Sequence, residues 1–357
     1  MAKAWIEVAR VQRSIGNDQE SLNSAEQAEH LLRSAKDFSP ELLAHVLHRK
    51  GWSLFMLGRA DEAITAAEEA LLLSKKANSD RGMIENLNLL AEVHSYLLEQ
   101  FEIAVRYIDE AMEIARNMGN IRAEAALLSN LGEIIERQGD FEKASRLYQK
   151  AINLSIETGN KDKEITYRAN MGRAQVLLGA YDAAVDSLEE LISLLPQNSY
   201  LFSEVQLSLA RAYLGQGRLD LALAAGQQAL THAGSQNQFI IGQIWATLGR
   251  IAAQLKAPVH AGPIGDVSYD APACFRRSLE FFSKLRSQWG RAFVLRYWAG
   301  VEMLQGNKEL GKKMWHEARD IFIHLNMPLM AARMDTVARA MKPAYKDTSE
   351  AVSLAGM

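Results

Sequence analysis

The sequence predicts an all-α chain in which about eight helix-turn-helix repeats stack as an α-solenoid. An alanine or glycine returns about every forty residues, and a glycine follows most of these small residues seven positions later. No segment alternates apolar and polar residues for long, so essentially no β-sheet is expected. Self-similarity with such a period is typical of stacked repeat proteins, whose function lies on a surface shared by many repeats.

Each predicted repeat begins with a helix that carries one of these small residues. Two antiparallel helices approach closely only where a side chain is small, so both helices of a repeat need such a position. The small residues of the first helices are Ala9, Gly51, Ala91, Gly132, Gly172, Ala210, Gly249 and Ala299. The turn glycines are Gly16, Gly58, Gly139, Gly179, Gly217 and Gly306. The second helices carry the small pairs Ser21/Ala28, Ala63/Ala70, Ala104/Ala111, Ala144/Ala151, Ala222/Ala229 and Gly311/Ala318.

We expect a single array over residues 1–342, with one insertion and one closing helix. The insertion covers about 257–270, placed between repeats six and seven, where two prolines and two glycines forbid a continuous helix. It is interpreted either as a functional loop or as an insertion that the fold tolerates and that has no function. The closing helix is expected at about 329–341, where Pro343 stops it, and 343–357 is expected to be a disordered tail.

The best copy of the repeat runs from Leu131-Gly132 through Gly139-Asp140-Phe141 to Tyr148 and Ala151. In this pattern the chain resembles tetratricopeptide repeats in their long, roughly forty-residue form, as found in C-terminal arrays of bacterial signalling ATPases and regulators. The resemblance covers about residues 1–327 and implies a right-handed superhelix of about eight repeats with a C-terminal capping helix. Repeat two departs from it, because Glu99 stands where the turn glycine is expected.

Composition indicates a helical protein of the cytoplasm. The net charge of -3 disfavours nucleic-acid binding by bulk charge, and no apolar run approaches the length of a membrane helix. The lone Cys274 excludes an intramolecular disulfide, which suits a reducing compartment. Its position on a predicted second helix indicates a small apolar filler.

No residue pattern indicates catalysis, a cofactor or a metal site, so the chain is predicted not to be an enzyme. His45 and His48 share a helical face with Glu41, a spacing that could hold zinc. Neither a catalytic glutamate nor a cysteine partner accompanies them, which favours surface or inter-repeat packing.

The candidate binding surface is the concave groove, which the resemblance places on the first helices. The residue after each small residue is expected to point into it, giving the series Arg10, Trp52, Glu92, Glu133, Arg173, Arg211, Arg250 and Gly300. Three consecutive arginines could meet several carboxylates of one extended ligand. The alternative is that they pair with acids of their own chain. The predicted peptide-binding residues are Glu92, Asn130, Glu133, Arg137, Asn170, Arg173, Arg211 and Arg250.

Two functions remain open. The first is a non-catalytic scaffold that binds a partner peptide or helix, acidic at least in part, in the groove. The second is a ligand-sensing C-terminal arm of a larger bacterial signalling protein, such as an ATPase-type transcriptional regulator or a nucleotide cyclase. The first repeat lacks a polar cap before Trp5, so we expect a preceding segment or a docked partner there, including self-association. A naturally short first helix is the simpler alternative.

Overall fold

A computed structural model describes residues 2–35, 39–197, 199–234, 237–261 and 267–340. These residues form seventeen α-helices, one π-helical segment and one two-stranded hairpin. The helices are α1 (Ala2–Ser14), α2 (Asp18–Arg33), α3 (Pro40–Met56), α4 (Ala60–Lys76), α5 (Asp80–Glu92), α6 (Phe101–Asn117), α7 (Ile121–Gln138), α8 (Phe141–Glu157), α9 (Lys161–Leu177), α10 (Tyr181–Leu194), α11 (Tyr200–Gly215), α12 (Leu219–His232), α13 (Gln238–Leu255), α14 (Ala271–Lys284), α15 (Gln288–Leu304), α16 (Lys308–His324) and α17 (Pro328–Ala340).

The first sixteen helices form eight consecutive pairs, and α17 follows the last pair. Each odd-numbered helix carries one of the predicted small residues, and the next even-numbered helix is its partner. The predicted all-α solenoid of about eight repeats with a closing helix is therefore confirmed.

Small residues set the spacing between the helices of a pair. A Cβ atom added at Gly172 would lie 2.4 Å from Leu188 of the paired helix. At Gly249 it would lie 3.0 Å from the ring of Phe275. Ala210 is fully buried at the equivalent position of repeat six. Larger side chains at these positions would force the helices apart, which explains the forty-residue period.

Two of the eight turns between paired helices have no glycine, and the first of them lies between α5 and α6, in the third repeat and not the second. α5 passes into a π-helical segment at Val93–Leu97, and Glu99 then adopts the left-handed conformation with φ +55°. Lys256 does the same, with φ +53°, where repeat seven lacks its turn glycine. The turn geometry is thus kept at positions where a side chain opposes it.

The insertion lies inside repeat seven, between α13 and α14, and not between repeats six and seven as its sequence placement suggested. It contains the hairpin of β1 (Val259–His260) and β2 (Ser268–Tyr269), in which Val259 pairs with Tyr269. Val259 is fully buried, and Tyr269 packs edge-on against Trp245 of α13 at 4.8 Å. This pair of two-residue strands is the one exception to the helices among the described residues, which agrees with the expectation of essentially no β-sheet. Residues 262–266 lie outside the described residues.

The chain divides into two compact units, Met1–Ile134 and Ile135–Met357, with the boundary inside α7. Unit 1 contains a buried core that includes Leu54, Leu89 and Leu90. Unit 2 has a larger core that runs from α9 to α15 and includes Phe275 and Trp298. The predicted tail, 343–357, falls outside the described residues.

Within unit 2, Arg137, Gly139 and Phe141 of repeat four contact residues of α15 and α17. We call this set of contacts the closing contact. The indole Nε1 of Trp289 on α15 donates a hydrogen bond of 2.9 Å to the carbonyl oxygen of Arg137 on α7. Gly139 lies against Met330 of α17, since a Cβ there would be 2.6 Å from the Met330 side chain. The guanidinium of Arg333 stacks 4.2 Å from the ring of Phe141. Repeat four therefore packs on elements about 150 to 190 residues away in sequence.

None of the helices in the described parts of the chain is both long and apolar enough to span a membrane.

Candidate functional site

The predicted arginine series lies on the first helices of unit 2, which form one layer. Successive first helices contact one another, α9 with α11, α11 with α13 and α13 with α15. Arg173, Arg211 and Arg250 follow the small residues of three of these helices. Burial is the main cause of the lowered pKa of Arg211, and the charges of Arg250 and Arg173 lower it further. The charges of the three arginines therefore act on one another. The structure therefore brings the three predicted arginines together.

Arg173 is paired with an acid of its own chain. Its Nε donates a hydrogen bond of 2.8 Å to Oε1 of Glu136 on α7, and its Nη2 donates to the hydroxyl of Tyr148 at 3.3 Å. That hydroxyl donates in turn to Oε2 of Glu136. For Arg173, the alternative of internal pairing describes the geometry.

Arg211 is held by neutral groups. Its Nε donates to Oγ1 of Thr247 at 3.2 Å, and its Nη2 donates to Oε1 of Gln243 at 2.8 Å. Burial lowers the pKa of Arg211 to about 10, which still leaves the guanidinium charged at neutral pH. Thr247 and Gln243 orient this cation without neutralising it.

Arg250 and Arg296 share one aromatic ring. The guanidinium carbon of Arg250 lies 4.4 Å from the ring centre of Tyr297, and that of Arg296 lies 5.4 Å from it. Burial would raise the pKa of Tyr297, but Arg250, Arg296 and Arg211 outweigh it and lower the pKa below its usual value. A buried phenol with a lowered pKa reports a strongly positive local potential. We call Arg173, Arg211, Arg250 and Arg296 the arginine cluster.

Arg296 and Tyr297 were missed from the sequence, although a signal for Tyr297 exists. Tyr297 stands two residues before the small residue Ala299, the position occupied by Asn130 and Asn170 in their repeats. Thr247 has the same place before Gly249. Each of these two residues contacts the arginine that follows the small residue of the preceding repeat. Because only asparagine was expected at this position, neither Thr247 nor Tyr297 was predicted.

The other predicted residues of unit 2 are buried. Arg137 is 5% exposed, and its guanidinium carbon lies 5.3 Å from the ring centre of Phe239 and 4.9 Å from that of Trp289. Asn170 is 3% exposed. Arg137 thus belongs to the closing contact, where its charge faces two aromatic rings.

The predicted residues of unit 1 make polar contacts between repeats. Asn130 donates from Nδ2 to Oδ1 of Asn88 at 2.7 Å. Glu133 accepts a hydrogen bond of 2.8 Å from the hydroxyl of Tyr96. Glu92 is half-buried on α5. Glu92, Asn130 and Glu133 lie on two successive first helices, α5 and α7.

His48 of α3 packs between repeats. Nδ1 of the buried His48 lies 3.1 Å from Oδ1 of Asn86 on α5, and burial lowers the pKa of His48 to about 4. No group of three or more metal-ligating side chains stands close together among the described residues. Cys274 is fully buried, and burial raises the pKa of its thiol to about 12.

Comparison with protein families gives three matches to models described as tetratricopeptide repeat, at residues 44–76, 123–197 and 169–238. Tetratricopeptide repeat protein 29 of Trypanosoma brucei brucei is 26% identical over 179 residues, or 50% of this chain and 35% of that protein. The chain therefore spans about a third of the length of this curated relative.

Two solved structures share the fold. A Rap protein complexed with competence and sporulation factor superposes with a TM-score of 0.58 at 17% identity, covering 79% of this chain and 75% of that chain. The Rap conjugation gene regulator of the plasmid pLS20, in complex with its Phr peptide, gives a TM-score of 0.62 at 11% identity and covers 92% of this chain and 97% of that chain. Family models, relative and structures agree with the packed helix pairs: residues 44–76 and 123–238 match tetratricopeptide repeats, and the helix pairs have the fold of such repeat proteins.

Proposed function

We propose that this chain is a non-catalytic interaction scaffold that holds an acidic segment of a partner protein or peptide at the arginine cluster of unit 2. The observation that carries the proposal is the charge balance of the cluster. Its four guanidinium groups have one ion pair with a carboxylate among the described residues, that of Arg173 with Glu136. Arg211 and Arg250 therefore offer cationic groups to a ligand.

The orientation of these groups also favours recognition. Arg211 is fixed by Thr247 and Gln243, and Arg250 rests on Tyr297, so both side chains have given up much of their rotational freedom before a ligand arrives. Preorganised guanidinium groups bind carboxylates with two parallel hydrogen bonds at a reduced cost in entropy. In this proposal Arg137 has a structural role, because it is buried against Trp289 and Phe239.

The comparisons support a partner that is a peptide or a protein. Tetratricopeptide repeats are interaction modules, and the two Rap structures that share the fold were solved with competence and sporulation factor and with a Phr peptide. Fold likeness alone does not assign a ligand, so the acidic character of the proposed partner rests on the arginine cluster. Non-catalytic action in the cytoplasm is part of the same proposal.

The test is binding of fluorescent ten-residue peptides that are acidic, neutral or basic, measured by anisotropy. Arg211→Glu should weaken binding of the acidic peptides by about 1 to 3 kcal/mol, which is roughly 5- to 150-fold. Arg276→Glu is the matched control, since Arg276 is exposed on the second helix α14. It makes the same change in net charge away from the cluster.

Added salt should weaken binding of the acidic peptides, because part of the affinity is electrostatic. Equal losses in both variants would mean that net charge alone attracts the peptides and would remove the cluster as the site. Preference for basic peptides would overturn the proposal as a whole.

A further inference from the structure

Arg296 is a buried cation that has no carboxylate partner among the described residues. Arg296 lies on α15 and is only 6% exposed. Its guanidinium makes no hydrogen bond or ion pair with any described residue. The groups that act on it most strongly are Tyr297, Arg250, Arg333 and Tyr181, and none of them is a carboxylate. Leaving a charge in this environment is costly unless a group of opposite sign compensates it.

The place of Arg296 on its helix aims it at the cluster. It precedes Gly300 by four residues, so the two positions share a face of α15. Gly300 occupies the position that holds arginine in repeats five, six and seven. Because Gly300 has no side chain, Arg296 can present its guanidinium to the same Tyr297 ring on which Arg250 rests.

The chemistry of these groups selects among anions. The guanidinium groups of Arg250 and Arg296 lie 4.4 Å and 5.4 Å from the centre of the same Tyr297 ring, which concentrates two positive charges at one side chain. A single carboxylate brings one negative charge and two oxygens. A phosphate monoester brings a charge of about -1.5 to -2 at neutral pH and three strong acceptor oxygens. The planar donor fork of arginine matches phosphate geometry as well as it matches carboxylate.

We propose that Arg250, Arg296 and Tyr297, together with Arg211, bind a phosphoryl group of the ligand. The inference rests on the proposed function in that it names the anchor of the same site. The phosphoryl group can belong to a phosphorylated side chain of the partner or to a phosphorylated small molecule, and the experiment separates these two sources.

The first arm uses inorganic phosphate alone, titrated into the full chain by calorimetry at pH 7.5 and constant ionic strength, with acetate as the monoanion. Phosphate should bind saturably and acetate should not. Arg250→Gln and Arg296→Gln should each weaken phosphate binding at least tenfold, whereas Arg276→Gln should leave it unchanged. Non-saturable heats with the unaltered chain, or equal affinity in all variants, would overturn the inference.

Removing a buried side chain can disturb the fold, so each variant is first compared with the unaltered chain by circular dichroism and thermal unfolding. Arg250→Gln carries the test if Arg296→Gln fails to fold, because Arg250 is only half-buried. Phosphate should also raise the melting temperature of the unaltered chain more than that of Arg250→Gln. Equal shifts in the two proteins would be a general salt effect and would count against the site.

The second arm compares an acidic ten-residue peptide containing phosphoserine with its serine version and with free O-phosphoserine. A phosphopeptide that binds at least tenfold more tightly than both others identifies a phosphorylated partner segment. Equal affinity of the phosphopeptide and free O-phosphoserine identifies a small phosphorylated ligand. Acidic peptides that bind through Arg211 without any response to phosphate would leave the proposed function standing and refute the phosphoryl anchor.

Discussion

Among single residues, His48 gives unit 1 a defined response to acid. Burial lowers the pKa of His48 to about 4 from 6.5, so the folded chain keeps the imidazole neutral where the unfolded chain takes up a proton. Between pH 6.5 and pH 4 the unfolded state therefore binds more protons, and the free energy of unfolding falls as the pH falls. The loss across this window is on the order of 3 kcal/mol.

His48→Gln should flatten this dependence, as measured by urea unfolding of unit 1 signals at a series of pH values. His30→Gln is the control, because His30 is exposed on α2 of the same unit. An unchanged slope in His48→Gln would show that other groups govern the acid response.

Cys274 provides a second residue-scale prediction, on the reactivity of a thiol. It is fully buried, and burial raises its pKa to about 12, so almost no thiolate is present or accessible at neutral pH. Thiol reagents should label the native chain orders of magnitude more slowly than the urea-unfolded chain. Since the chain has one cysteine, the labelling rate reports opening of unit 2 directly. Native labelling as fast as that of a free thiol would contradict the burial.

The residues of the candidate site were predictable in part. Arg211 and Arg250 follow a small residue at a fixed offset, and this offset alone predicts that they share a face. Arg296 follows a different rule, because it stands four residues before Gly300 on the same face of α15 and not directly after a small residue. In repeat eight the arginine stands at position 296 and not at position 300. This change depends on packing in three dimensions and does not appear as a periodic pattern in the sequence.

At the scale of elements, the closing contact rests on one glycine. Gly139 has φ +92°, and a Cβ atom there would lie 2.6 Å from the Met330 side chain. Gly139→Ala should therefore cost about 1–2 kcal/mol of backbone strain and a further 1–3 kcal/mol of overpacking. Gly217→Ala is the matched control, since Gly217 has φ +74° and nothing within 4 Å of its added Cβ.

Thermal or urea unfolding of the two variants separates strain from collision. Combining Gly139→Ala with Met330→Ala should give a smaller loss than the sum of the two single losses, because the shortened side chain makes room. Additive losses, or equal losses in Gly139→Ala and Gly217→Ala, would mean that the two residues do not press on each other.

Element order and pairing were predictable because the small residues recur in register with the helices. The hairpin inside repeat seven was not, since strands of two residues carry no detectable alternation and depend on their partner. The turns at Glu99 and Lys256 were visible as missing glycines, yet their left-handed backbone follows from the flanking helix pairs and not from the residues themselves.

For the molecule as a whole, three expectations stay predictions: one array over residues 1–342, a sensing arm of a larger signalling protein, and self-association through the first repeat. The last has a surface to test, because α1 exposes Trp5 (39%) and Val8 (40%), and Ile15 directly after it is 64% exposed. If this face mediates self-association, sedimentation should show concentration-dependent dimers that Val8→Glu removes. Leu72→Glu, at a side chain 52% exposed on α4, should leave them intact.

Open repeat arrays tolerate the gain or loss of a module, since each module touches only its neighbours. Repeats four to eight of this chain are bound by a stricter rule, because Arg137, Gly139 and Phe141 meet Trp289, Met330 and Arg333. Duplicating or deleting one module between them would carry these side chains past one another. The number of modules in this stretch is therefore fixed by the geometry of its own ends, and evolution can lengthen the chain outside it more readily than within.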